Sequence, residues 1–120
     1  MNETVQAVAH AADSELPREE RAREAARLVL HAREYRWVGI YDIGDAEVAL
    51  IGESGSSARA EALRIRATVA GSLVVVPVLG AESAIVIGTV EVESDRADAF
   101  YDADVEFLEE CAAVLRPLYD

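Results

Sequence analysis

The sequence predicts an α+β domain: a central antiparallel sheet made from two hairpins, with the terminal helices packed together on one of its faces. Three observations lead there. Helical spacing of apolar residues dominates the first 34 residues and the last 18. Two blocks of β-rich composition lie between them, and turn residues split each block. The order helix, helix, strand, strand, helix, strand, strand, helix lacks the strict alternation of a doubly wound parallel sheet. A length of 120 residues has room for one core, so residues 1–120 are expected to form one domain. With 52% hydrophobic but only 6% aromatic residues, that core must be mostly Val, Ile, Leu and Ala.

The first helix is expected over Glu3–Ala12, where Val5, Val8, Ala9 and Ala12 share a face. Ser14 is a candidate cap for a second helix over Pro17–Glu34, with Pro17 in the first turn, where its missing N–H costs nothing. Apolar residues from Ala22 to Tyr35 cover more than half of that helix, wider than the stripe needed for one neighbour. Arg36–Ile43 reads as a strand with Trp37, Gly39, Tyr41 and Ile43 on one face and Val38 and Ile40 on the other. Gly44-Asp45-Ala46 turns the chain into a return strand over Glu47–Gly52. Glu53-Ser54-Gly55-Ser56-Ser57 is flexible by composition. A helix over Ala58–Val69 is expected next, although Leu63-Arg64-Ile65-Arg66 fits strand alternation equally well. Ser72–Leu79 is the clearest strand, and Pro77 marks an edge or a bulge. After a turn at Gly80–Ser83, Ala84–Glu93 forms the last strand, with Gly88 at a bulge or a close backbone approach. Asp102 is expected to cap a final helix over Ala103–Leu118.

Charge and cysteine usage remove several functions. Eleven basic residues, all Arg, face 23 acidic ones, for a formal net charge of −12. Such a surface repels phosphate backbones and anionic membranes, so neither nucleic acid nor membrane is an expected partner. No basic flank and apolar run marks a signal peptide, and the longest apolar run, Leu73–Leu79, is too short to span a bilayer. With Cys111 as the single cysteine, no intramolecular disulfide can form, which fits a cytoplasmic protein. His10 and His31 fall on separate helices without ligand spacing, so no metal is expected.

Four strings, in the right order, are similar to those of the GAF domain family. Arg36-Trp37-Val38-Gly39-Ile40-Tyr41 resembles the family's first core strand, and Ser72–Val78 its central Ser-x-x-x-x-Pro strand. Ile85–Val92 resembles the strand that often carries Ile-Gly-Val. Phe100 with Asp104 resembles the Phe-x-x-x-Asp entry to the last helix. The resemblance spans about residues 17 to 118. It implies a GAF-like (profilin-like) sheet with terminal helices on one face and a ligand pocket on the other. Glu53–Gly71 is short for the family's pocket lid, which implies a small or open cavity.

Trp37, Gly39 and Tyr41 also resemble the first strand of the free methionine sulfoxide reductases. That chemistry needs a nucleophilic thiolate and a second thiol to resolve it. This chain has one cysteine, placed on the last helix, and the expectation for Cys111 is a small buried hydrophobe. The cyclic-nucleotide pattern and bilin attachment also fail, for lack of a final acid and of a pocket cysteine. The expected function is therefore non-enzymatic: a GAF-like domain that binds a small ligand or mediates association, with no cofactor. The alternatives are a sulfoxide reductase and a purely structural interaction domain. Candidate ligand residues are Trp37, Tyr41, Arg59, Arg64 and Arg66, the three guanidinium groups suiting a small anionic ligand. The last helix is apolar over about half its circumference. That leaves Phe107, Cys111, Val114 and Leu118 to be covered by the first two helices or by a second copy in a homodimer.

Overall fold

The structure, a computed structural model, describes residues 2–57, 71–81 and 84–120. The expected helix over 58–69 lies outside the described residues. Helix α1 spans Glu3–Ala12. Asn2 starts it, its side-chain oxygen accepting the Thr4 and Val5 N–H groups at 2.6 and 3.4 Å. Helix α2 spans Arg18–Ala32, with Pro17 just before its first turn. Ser14 does not cap it. The Ser14 hydroxyl instead donates to the Ala11 carbonyl at the end of α1, where helix carbonyls lack intrahelical partners. At the far end Glu34 takes a left-handed conformation (φ 54°), and the Tyr35 N–H closes the turn onto the Leu30 carbonyl.

Strands β1 (Trp37–Ile43), β2 (Val48–Gly55), β3 (Ser72–Leu79) and β4 (Val86–Ser94) form one sheet in the order β2-β1-β4-β3, every pair antiparallel. Pro77 thus sits on an edge strand, where the donor it lacks is not needed on the outer side. β2 runs three residues beyond the expected Gly52, because Glu53, Ser54 and Gly55 pair with Gly39, Val38 and Trp37. Pairing overrides the flexible composition of that stretch. Gly55 has φ 89° and stands against the Arg36 carbonyl, so only glycine fits there. Two bulges bend the sheet. In β2 the extra residue, Ile51, is buried in the core; in β4 it is Ile87, next to Gly88.

Helix α3 spans Asp102–Ala113, and a 3₁₀ turn, Arg116–Tyr119, follows. Asp102 is the first helical residue and not the cap. Tyr101 takes the cap position, and the Asp104 carboxylate reaches back to accept its N–H at 3.1 Å. That bond, with Arg33 2.7 Å away, holds the Asp104 carboxyl below its ordinary pKa. The α-helix stops five residues before the expected Leu118. Pro117 has no N–H to offer the Ala113 carbonyl four residues back, and its ring would collide with it.

The three described α-helices lie on one face of the sheet. Val38 and Ile40 of β1, Val76 and Val78 of β3 and Val90 and Val92 of β4 form one core with the inner faces of the helices. α2 crosses β2 closely because it offers alanines and the strand offers Gly52: a Cβ there would lie 2.6 Å from the Ala22 Cβ. α1 lies across α2 and α3. Phe107, Cys111 and Leu118 are accordingly buried within the single chain, the first of the two coverings expected for them. Val114 alone of that set is half-buried, lining a groove of about 330 Å³ with Val5, Glu110 and Ala113. A wide apolar arc on α3 is needed because it touches the sheet on one flank and α1 on the other.

The chain's end is tied back to the sheet. The Tyr119 hydroxyl donates to the Tyr41 carbonyl at 2.7 Å, and its ring lies where a Gly88 side chain would be. The expected close approach at Gly88 is therefore made by a side chain. Arg18 reaches over the Tyr119 ring and pairs with Asp42.

Candidate ligand-binding face

The register assigns each strand residue to a face, because direct cross-strand partners point the same way. Trp37, Gly39 and Tyr41 of β1 lie opposite Gly55, Glu53 and Leu50 of β2, and opposite Glu93, Glu91 and Thr89 of β4. All share the face turned away from α1, α2 and α3. The structure thus brings Trp37 and Tyr41 together on the expected pocket face. Arg59, Arg64 and Arg66 lie outside the described residues.

Trp37 is buried on this face at 3% exposure, outside the main core. Its six-membered ring lies flat over Gly39, in space that a side chain there would take. Glycine at position 39 therefore follows from close approach and not from a turn. The indole N–H donates to Glu53 Oε1 at 3.0 Å. Glu93 is buried at 3% exposure and accepts from the Ser57 hydroxyl. Glu91, half-buried, sits across β1 from Glu53 with Gly39 between them. One end of this face is an indole framed by three carboxylates. Carboxyl oxygens accept hydrogen bonds, so such a frame suits a ligand that donates.

Sequence reasoning named Trp37 and Tyr41 but passed over Glu53, Glu91 and Glu93. The alternation Glu91-Val92-Glu93 was visible as strand periodicity. Which strand face meets Trp37 depends on register, and no residue alone encodes that.

Cys111 lies on the other side of the sheet, on α3, fully buried. Burial, with a smaller contribution from Glu110, pushes its thiol up to about 12, so the thiolate that a redox reaction needs is suppressed. Among the described residues no group of three or more acids, histidines or cysteines is placed to hold a metal ion. Among them, too, no helix is long and apolar enough to cross a membrane.

The architecture is that of a GAF domain. No family model and no curated protein matches the chain. Solved structures do. The chain is similar over 99% of its length, at 15% identity and TM-score 0.75, to the GAF domain of an Acinetobacter phosphoenolpyruvate-protein phosphotransferase, of which 94% is covered. It is also similar to the free methionine-R-sulfoxide reductase of Neisseria meningitidis in complex with its substrate (20% identity, TM-score 0.73, 98% of this chain and 86% of that one). A GAF sensor protein of Burkholderia vietnamiensis matches at 20% identity and TM-score 0.72, covering 93% and 88%. At these identities the likeness establishes a GAF-like fold. Sensors and reductases share it, so function must be argued from the site.

Proposed function

We propose that this chain is a non-enzymatic, small-ligand-binding GAF-like domain, and that its ligand sits beside Trp37 on the face turned away from α1, α2 and α3. The observation that carries this reading is the indole packed over Gly39 and framed by Glu53, Glu91 and Glu93, on the side of the sheet that the core does not use. The described lining is acidic, and none of the described strands carries a basic residue, which favours an amine-bearing ligand. Arg59, Arg64 and Arg66 favour a second reading, a small carboxylate or phosphate ligand. The sulfoxide-reductase alternative is disfavoured by a single thiol that is buried on the wrong side of the sheet.

Trp37 is the only tryptophan, so its fluorescence reports on this face alone. Titration with ethylammonium is expected to give a saturable change that weakens in Glu53→Gln. A saturable response to succinate or inorganic phosphate, abolished in Arg64→Gln or Arg66→Gln, would select the second reading. Silence with every probe, together with native mass spectra showing no co-purified small molecule, would overturn ligand binding. Turnover of free methionine sulfoxide with a thiol reductant would overturn the non-enzymatic assignment.

A further inference from the structure

Nine large apolar residues are exposed among the described residues, and seven of them belong to the strands or the β3–β4 connection. Five gather at one end of the sheet. Val48 and Leu50 of β2 are 61% and 43% exposed; Leu79, Ile85 and Val86 of the second hairpin are 40%, 67% and 40% exposed. The register puts Val48 and Leu50 opposite Ile43 and Tyr41, and Val86 opposite Leu79, so these strand residues lie on the face turned away from α1, α2 and α3, at the end where both hairpins turn. Acidic residues rim them. Asp45 and Glu47 stand exposed in the β1–β2 turn beside Val48. By contrast, on the helix side and at the sheet's ends arginines pair with acids: Arg18 with Asp42, Arg27 with Glu24, Arg33 with Asp104 and Arg36 with Asp95.

We propose that this end of the face binds an amphipathic helix of another protein, apolar along one stripe and basic on its flanks. Arg116 is held on the Leu79 carbonyl at 3.1 Å, which leaves exposed carboxylates as the charged flank of the apolar centre among the described residues, and these select a basic partner. The dimensions fit as well. β2 and β4 stand two strand spacings apart, roughly 10 Å, which is the diameter of a helix with its side chains. A helix laid over β1 would touch Leu50 on one side and Val86 on the other, with its basic residues near Asp45 and Glu47. A second copy of this chain is the poorer occupant. Twofold pairing would set acidic rims of a −12 chain near one another. The surface lies at the opposite end of the strands from Trp37, and the inference does not depend on the ligand reading.

The test uses a fluorescently labelled Leu/Lys model helix of about 14 residues, with a Leu/Glu helix as control, followed by anisotropy. The expected result is saturable binding of the basic helix alone, with affinity falling by about tenfold or more in the Leu50→Lys, Val86→Lys double variant. Glu19→Gln with Glu20→Gln on α2 changes the net charge equally and is expected to cost no more than about twofold. Circular dichroism checks that each variant is folded, and Val48→Lys, at a 61%-exposed position within the patch, replaces any that is not. Equal losses in the two double variants would reduce the binding to bulk attraction and overturn the proposal. So would failure of the basic helix to bind. Sedimentation showing a wild-type dimer that Leu50→Lys dissolves would make the occupant a second copy and overturn it too.

Discussion

Gly52 is the point at which the packing of helix on sheet is most sharply testable. In Gly52→Ala the new methyl would stand 2.6 Å from the Ala22 Cβ and 2.7 Å from both the Ala22 carbonyl carbon and the Arg23 nitrogen. Comfortable carbon contacts need about 3.5–4.0 Å, so α2 must lift by about 1 Å. Two of those three atoms are helix backbone and cannot rotate aside. Overpacking of this kind costs about 1–3 kcal/mol, and the lost freedom of the unfolded chain returns about 0.4–1. The expected net destabilisation is about 1–2 kcal/mol. For a chain of this length that lowers the melting temperature by about 4–8 °C, since unfolding entropy runs near 2.1 cal/mol/K per residue. Thermal and urea unfolding followed by circular dichroism measure it. Adding Ala22→Gly removes the Cβ clash but leaves the backbone ones, so the double variant should recover part of the loss and no more. A Gly52→Ala protein that melts at or above the wild type would refute the close crossing of α2 and β2.

Two further outcomes are expected from buried groups on the helix side. Tyr35 is 6% exposed and stacks on Phe100, and its hydroxyl has no hydrogen-bond partner. Tyr35→Phe should therefore hold or raise stability, by up to about 1 kcal/mol in urea unfolding; a loss of that size would mean that the hydroxyl is satisfied. Burial pushes both the Tyr35 hydroxyl and the Cys111 thiol up to about 12, from ordinary values near 10 and 9. Between pH 9 and 12 the unfolded chain then binds fewer protons than the folded one, so stability should fall as pH rises through that window and be flat just below it. Cys111→Ala should soften the fall and cost about 1 kcal/mol at neutral pH, with any binding activity intact. An aromatic disulfide reagent should label Cys111 at pH 8 only in denaturant, and rapid native labelling would show the thiol to be misplaced.

Most of the fold was legible because its signals are local. The bounds of α1 and β3 follow directly from spacing and composition, and Pro77 marks its own edge strand. Where expectations missed, a longer-range effect decided. Glu53-Ser54-Gly55 looks like a loop until β1 pairs with it. Asp102 looks like a cap until Asp104 reaches back to Tyr101. The stop at Ala113 was readable from Pro117, whose effect falls four residues upstream of itself. The site was only half legible. Trp37-x-Gly-x-Tyr41 announces a strand face, but the carboxylates that frame the indole come from two other strands, and only register joins them.

Surplus apolar surface shows the same limit from the other side. Helix width suggested that α2 and α3 leave a patch for a second chain, yet each wide arc is used internally: α2 between β2 and α1, α3 between β3 and α1. The surplus lies on the sheet. Its sequence signal was present in Leu73-Val74-Val75-Val76 and in Val48-Ala49-Leu50-Ile51, where apolar residues fall on both parities. A strand that faces water on one side alternates with polar residues, whereas one covered on both sides does not. In β4 the outer parity is polar at Thr89, Glu91 and Glu93 but apolar at Val86, so the two ends of one face differ in kind. The Trp37 end of that face carries Glu53, Glu91 and Glu93 beside exposed Leu73 and Val75, whereas the hairpin end carries Val48, Leu50, Leu79 and Val86, so polarity on this face is set strand by strand and is not legible from any one strand alone.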